Sequence, residues 1–382
     1  MPAPDFSQQL AELAAAGLLR RRRSLESSQG VQVRTDGAAR LSFSSNDYLG
    51  LAGHPRLAAA VAEAVARFGV GSAASHLVSG HHALHDALEQ RLAGFMGQPC
   101  LLFSSGYMAN VGAIGALVDR EDAVFSDELN HASLIDGIRL CRARVLRYRH
   151  GDAGDLEQLL SDTPARRKLI VTDTVFSMDG DLAPLPRLAE LAERHDAWIY
   201  ADDAHGFGVL GAAGRGAFEH FGLAGPRLIH LCTLGKAAGV SGAAIFAEQT
   251  VVDWLLQSAR SYIFATAAPP ALAAALLASL DLFEEEAWRR THLRALIARL
   301  RLACSDLKWR LLESETPVQP LIVGENMAAV ELAEALQRRG IWVPAIRPPT
   351  VPPGTARLRI SLSAAHAAED VDRLAGALRE LQ

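Results

Sequence analysis

The sequence predicts an α/β protein, with a doubly wound and largely parallel sheet in a large domain, a smaller α+β domain after it and a helical arm before it. Three observations carry this. Between about residues 95 and 250, short apolar runs alternate with amphipathic helical stretches, the pattern of parallel strands joined by crossover helices. After Ala268-Pro269-Pro270 the alternation gives way to long helices followed by two late strands. The length of 382 residues exceeds what one hydrophobic core usually organises.

Taken in order, residues 5 to 20 place Phe6, Leu10, Leu13 and Leu18 at helical spacing, and a second helix is expected from Pro55 to Phe68 after the turn-like SSNDYLGL. CLLFSSG, DAVFSDE, KLIVTDTVFS, AWIYADD, RLIHLCT and GAAIFAE then read as strands. In such sheets the reactive groups collect at the carboxyl ends of the strands. Ser105, Asp127, Ser177, Asp202 and Thr233 each follow a predicted strand, which points five polar residues at one rim. His292 to Cys304 reads as a long helix, with QPLIVGE and ARLRISLSAAH as the last strands. The expected division is an arm over 1–50, a large domain over 51–267 and a small domain over 268–382.

A formal net charge of -5 with mixed signs argues against a nucleic-acid footprint and for small-molecule partners. Cys100, Cys141, Cys232 and Cys304 lie far apart with no CxxC pair, which fits neither a disulfide framework nor a structural zinc site. The N-terminal stretch has early acids, arginines placed after the apolar residues and no apolar run of about 18. The expectation is a cytoplasmic protein with no membrane span.

The chemistry centres on Lys236, in TLGKAAGVSGAA. The chain uses 35 arginines and only three lysines, so a lysine among small residues is an exception to explain. Unlike arginine, a lysine can be pushed to its nucleophilic amine by desolvation and neighbouring cations. Asp202 and His205 in YADDAHGFG stand at the end of another predicted strand. Alone, Asp202 could be a metal ligand, a satisfied core acid or the partner of a heterocyclic nitrogen.

Followed about 30 residues later by Thr-x-x-Lys, the Asp-x-x-His pair suits pyridoxal 5'-phosphate. Lys236 would bond the cofactor aldehyde, Asp202 would keep the pyridine nitrogen protonated, and His205 would meet the ring hydroxyl. Gly106 and Tyr107 open a helix after a strand, where backbone N–H groups and the positive helix end suit a phosphate that Thr233 can also reach.

His131, past another strand, offers a flat imidazole that could stack on the pyridine. His76, His81, His82 and His85 invite a zinc reading, set aside for want of carboxylate or cysteine partners in the segment, so no metal is expected. Arg20 to Arg23 could be a solvated face, a surface patch or a carboxylate clamp. Prolines flank Arg347 and restrict where its guanidinium can go, which suits an orienting contact with a carboxylate.

These residues resemble the α-oxoamine synthase family, fold-type I enzymes that use pyridoxal phosphate to condense an amino acid with an acyl thioester. The resemblance runs through SFSSNDYLGL, ARFGVGSAASHLVSG, LLFSSGYMAN, LNHASLIDG, VFSMDGD, DDAHGFGVLG, TLGKAAGVSGAA and AIRPPTVPPGTARLRISLSAAH. Within the family, ASHLVSGHH and IRPPTVP resemble the member of the biotin pathway, while LNHASLIDG resembles the branch that acylates glycine equally well.

The resemblance implies roles residue by residue. Lys236 holds the cofactor, Asp202 pairs with its nitrogen, His205 and Ser177 contact the ring, and His131 stacks over it. Gly106, Tyr107 and Thr233 hold the phosphate, with Thr266 reaching the phosphate of a neighbouring subunit. Asn46 and Arg347 hold the amino-acid carboxylate, and Arg20, with Arg21 as the alternative, joins Thr350 on the acyl substrate. Two departures stand out: Ala237 and Ala238 follow the lysine where the family often has Gly and an aromatic, and Ala265 and Ala267 flank Thr266 where it often has serines.

The implied activity is a decarboxylating condensation of L-alanine with a pimeloyl thioester, the carrier being coenzyme A or an acyl carrier protein, in a homodimer. The sister reaction on glycine with an acetyl thioester is the enzymatic alternative. A cofactor-binding regulatory module of the same fold is a rival from another class. It lacks a basic helix-turn-helix segment before residue 50.

Overall fold

A computed structural model describes residues 6–20 and 22–382. The chain divides into two compact units: residues 1–50, 178–181 and 291–382 form one, and residues 51–177 and 182–290 the other. The expected boundary at 267/268 falls instead after Arg290, and the expected arm belongs to the same unit as the C-terminal segment.

The first unit begins with α1 (Phe6–Ala15) and the hairpin strands β1 (Gln32–Thr35) and β2 (Ala38–Ser42). Asp36 and Gly37 turn that hairpin with positive φ at both positions, as a tight two-residue connection demands.

The second unit opens with α2 (Pro55–Phe68), whose proline takes the first helical position, where its missing N–H costs nothing. A single turn of π-helix at His76–Gly80 leads to α3 (Ala83–Met96). There follow β3 (Cys100–Phe103), α4 (Gly106–Leu117), β4 (Ala123–Asp127), α5 (Ala132–Leu140), β5 (Arg144–Tyr148), α6 (Ala153–Asp162) and β6 (Lys168–Asp173). The unit is completed by α7 (Leu185–Arg194), β7 (Ala197–Asp202), α8 (Ala217–Phe221), β8 (Leu228–Thr233), β9 (Ala243–Phe246), α9 (Gln249–Ser258), α10 (Arg260–Ile263) and α11 (Pro270–Glu285).

Its seven strands lie in the order β3-β9-β8-β7-β6-β4-β5. The four pairings from β8 to β5 are parallel. β9 runs antiparallel to both its neighbours, because residues 234–242 form a connection too short for a crossover helix. The central strands are near-continuous apolar runs, and Val124, Leu169, Val171, Tyr200, Ile229 and Ile245 are buried in one cluster with Ala109, Ala113 and Ile114 of α4. β5, unlike them, is an edge strand with exposed arginines, and its RVLRY text gives little strand signal. α11 belongs to this unit because its Leu276, Leu280 and Phe283 are buried, each contributing roughly 1.5–3 kcal/mol.

The first unit resumes with α12 (Trp288–Ala303), which begins just before the boundary, then β10 (Arg310–Leu311), β11 (Val318–Gly324), α13 (Asn326–Arg338), β12 (Ile341–Trp342), β13 (Ala345–Ile346), β14 (Ala356–Ser361) and α14 (Ala368–Glu380). Four strands pair antiparallel in the order β10-β11-β14-β13. β12 pairs parallel with β2, Ile341 opposite Leu41, which ties the N-terminal hairpin to this unit. No helix among the described residues is long and apolar enough to cross a membrane.

Candidate active site

In the second unit, the carboxyl ends of β3, β7 and β8 bring the predicted cofactor residues together. Asp202 ends β7 and is 4% exposed. Its carboxylate accepts from the Asn110 side-chain amide at 2.7 Å and from the Ala204 amide at 3.0 Å. The Asn110 amide also donates to Ser133 Oγ at 2.8 Å, and its carbonyl accepts from the Tyr200 hydroxyl at 2.9 Å. Asn110 thus aims the carboxylate while Tyr200 aims Asn110. The neighbouring Asp203 turns the other way, accepting from the Ala217 amide at 2.9 Å and lying 2.8 Å from His230 Nε2, and holds the fold rather than the site.

Lys236, half-buried, follows β8, with Nζ 3.0 Å from Nε2 of the buried His205. Ala237 and Ala238 beside it are both buried. A Cβ on Gly208 would lie 2.7 Å from that of Ala237, so the chain at Gly208 packs directly against that alanine. The alanines after the lysine therefore fit their packing.

The start of α4 is where a phosphate would sit. Ser105 caps the helix through Met108 N–H at 3.2 Å, and the N–H groups of Gly106 and Tyr107 have no carbonyl one turn earlier within the helix. A Cβ on Gly106 would stand 2.5 Å from Thr233 Cγ2, so glycine alone lets the helix start approach the end of β8. That cradle of backbone donors beside Thr233, whose hydroxyl donates to the Ala204 carbonyl at 3.4 Å, with the buried Asp202 carboxylate and with Lys236 following Thr233 in the chain, fits pyridoxal phosphate. Tyr107 is 48% exposed and its hydroxyl donates to Asp136.

His131 caps α5, with Nδ1 2.7 Å from Ser133 Oγ and its backbone N–H donating to Asp173 at 2.6 Å. Loss of water around the ring lowers its pKa from the ordinary value; Asp202 opposes that shift and Lys236 adds to it. That direction favours the neutral imidazole. Asp173, buried beside Asp202, is pushed well up by burial and by its neighbour's charge.

Ser177 lies in the loop four residues past the end of β6, since the strand stops at Asp173. Thr266 is exposed, bridges to Ser75 and accepts through its carbonyl from Ser104 at 3.5 Å.

The first unit holds the residues assigned to substrate. Arg20 donates to Thr350 Oγ1 at 3.3 Å. Arg347 donates to the Gly17 carbonyl and lies on the wall of a cavity of about 630 Å³ with Leu19, Met327, Val330 and Trp342. Asn46 Oδ1 accepts from Arg359 at 3.0 Å and from the Tyr48 hydroxyl at 3.2 Å. Arg21 lies outside the described residues.

Sequence reasoning passed over Asn110, Tyr200 and Arg359. An amide inside the apolar run GYMANVGAIGAL was a usable signal, because a buried amide needs partners. Arg359 gave none, being one arginine of many, and it is 5% exposed.

The sequence profile of the class I and II aminotransferases matches residues 39–378. The chain is 59% identical over 374 residues to an 8-amino-7-oxononanoate synthase of Aromatoleum aromaticum, covering 98% of this chain and 97% of that one. Among solved structures, a serine palmitoyltransferase with pyridoxal phosphate matches with a TM-score of 0.94 at 28% identity, over 98% of this chain and 96% of that one. The 8-amino-7-oxononanoate synthase of Francisella tularensis matches with a TM-score of 0.77 at 30% identity, over 90% of this chain and 98% of that one.

Fold and site together define a pyridoxal-phosphate enzyme of fold type I. The chain belongs to the class I and II aminotransferase family and, within it, to the group formed by the 8-amino-7-oxononanoate synthases.

Proposed function

We propose that the protein condenses L-alanine with a pimeloyl thioester, releasing carbon dioxide and the thiol carrier and giving 8-amino-7-oxononanoate, in biotin biosynthesis. The observation that carries the choice of substrates is the 59% identity to a synthase of that name over nearly the whole chain. In the reaction the α-carbon of alanine bonds to the thioester carbonyl carbon, the thiolate leaves, and the bond to the amino-acid carboxylate breaks.

Pyridoxal phosphate, once bound, supplies an aldehyde that joins the amino group and a ring that accepts the electron pair left when the α-proton goes. Lys236 Nζ takes that proton and returns one at the end, with His205 Nε2 beside it as hydrogen-bond partner. Asp202, aimed by Asn110, keeps a proton on the ring nitrogen. His131 covers the ring and Ser177 contacts its edge. The N–H groups of Gly106 and Tyr107, with Thr233, hold the phosphate. Thr266 does so for a neighbouring subunit, which makes the working form a homodimer.

Asn46 and Arg347 hold the amino-acid carboxylate, and the guanidinium of Arg359 on Asn46 adds charge to the same amide. Arg20 and Thr350, already bonded to each other, meet the acyl chain. Four cysteines with no disulfide between them fit a cytoplasmic setting. An acyl carrier protein in place of coenzyme A as the thiol carrier belongs to the same proposal.

The test is product analysis by mass spectrometry, with the purified holoenzyme given L-alanine and pimeloyl-coenzyme A, or glycine and acetyl-coenzyme A. The expected product is 8-amino-7-oxononanoate from the first pair, lost on Lys236→Ala. Turnover of the glycine pair alone would move the protein to the sister reaction.

A further inference from the structure

We infer that His76, His81 and His85 form a site for one divalent transition-metal ion of the zinc type, with Asp86 orienting one of the ligands. The cluster lies in the second unit, and the proposed reaction makes no use of it. One ring nitrogen from each histidine falls within 4.8 Å of the others.

The ring centroids are 4.9, 5.1 and 5.5 Å apart. A tetrahedral ion with metal–nitrogen bonds of about 2.1 Å sets the centres of its imidazole ligands about 5.2 Å apart. The three rings therefore stand at the spacing such an ion requires. His76 Nδ1 and His81 Nδ1 are 2.7 Å apart and share one proton. An ion in place of that proton moves the two nitrogens out to about 3.4 Å, a small rotation of each ring.

The outer contacts are those that orient metal-bound histidines. His81 turns its other nitrogen, Nε2, to the Asp86 carboxylate at 2.9 Å. His85 turns Nε2 to the Ala268 carbonyl at 2.9 Å, which leaves Nδ1 as its ligand atom. That Nδ1 accepts the His82 amide at 3.0 Å, a bond the ion displaces. His76 lies flat on Tyr262, with centroids 4.8 Å apart and planes 10° from parallel.

The local fold makes this convergence. The π-turn over His76–Gly80 folds the chain back so that His76 meets His81, and His85 stands one turn into α3. Gly80 is required there, since a Cβ would collide with the Ala74 carbonyl. Sequence spacing pairs only His81 with His85, one helical turn apart. Asp86 follows His85 directly in the sequence, so the segment does hold the carboxylate whose want set the zinc reading aside; its contact with His81, and the third imidazole, emerge only in three dimensions.

Untagged holoprotein titrated with Co²⁺ alone tests the site. The expected result is one equivalent bound per chain, with visible d–d bands of tetrahedral intensity that Zn²⁺ abolishes. A His76→Ala/His81→Ala double variant loses that equivalent while keeping its cofactor absorbance. Asp86→Asn, an exposed change that leaves the ligands intact, weakens Co²⁺ affinity by about 10- to 100-fold and covers the case in which the double variant misfolds. Absence of a saturable tetrahedral spectrum, equal uptake by the double variant, or unchanged affinity in Asp86→Asn would each overturn the proposal.

Discussion

At the scale of single residues, the site depends on how Asp202 is held. Asp202→Asn removes the charge proposed to face the ring nitrogen, and kcat is expected to fall about 10²- to 10³-fold, by analogy with the loss of one charge-stabilising group. Steady-state assays with folding checked by circular dichroism decide it, and near-normal turnover would refute the role. Asn110→Leu leaves the charge but strips Asp202 of a donor and Tyr200 of its acceptor, both buried. Here the expected change is in stability, roughly 1–3 kcal/mol by denaturant titration, together with altered pH dependence of the bound cofactor's absorbance. A variant as stable as the parent with an unaltered spectrum would mean that Asn110 does not position the carboxylate. The choice between Asp202 and Asp203 shows what resemblance and structure each contribute. Asp202 is the last residue of β7 and Asp203 the next one along the chain, and only their hydrogen bonds reveal that Asp203 serves Ala217 and His230.

At the scale of elements, the start of α4 and the end of β8 work as one unit. Gly106→Ala introduces a methyl 2.5 Å from Thr233 Cγ2, and the threonine must turn or the helix must back away. Cofactor is therefore expected to dissociate at least about 10-fold faster, equivalent to 1.4 kcal/mol if association is unchanged. Dialysis followed by absorbance reads the rate, and parental retention would remove Gly106 from the phosphate cradle. The strands that the sequence predicts well are those buried on both faces, because β4, β6, β7 and β8 are near-continuous apolar runs. β5 escaped because its arginines face solvent, and β1 and β2 because four- and five-residue polar strands lack periodic signal.

At the scale of the molecule, two measurements bear on the assembly and its stability. Sedimentation equilibrium of the holoenzyme is expected to give twice the 40.9 kDa chain mass, and a monomer at micromolar concentration would exclude Thr266 from a neighbour's site. His366, 2% exposed and stacked on Phe43 at 4.3 Å, has its pKa lowered chiefly by burial, against the opposing pull of the Ser42 and Ser363 carbonyls. The unfolded chain takes up a proton near the ordinary value of about 6.5 while the folded chain refuses it until lower pH. Stability is therefore present above about 6.5 and is lost as pH falls from there toward the lower folded-state value. Urea midpoints at pH 7.5 and 5.5 should differ more for the parent than for His366→Gln, and equal differences would exclude His366 as a source.

The sequence by itself determined the alternation of strands and helices and the rim on which Asp202 and Thr233 stand, and it singled out Lys236 as the amine proposed to react. These follow from local rules: apolar runs make buried strands, and one lysine among small residues is conspicuous in an arginine-rich chain. Tertiary structure decided what depends on distant segments meeting. It reversed β9, grouped residues 1–50 with the C-terminal unit through the β2–β12 pairing, set Asn110 on Asp202 and Arg359 on Asn46, and drew His76 to His81 and His85. In each case the deciding quantity is a hydrogen bond or a packing distance between parts of the chain that no periodicity relates.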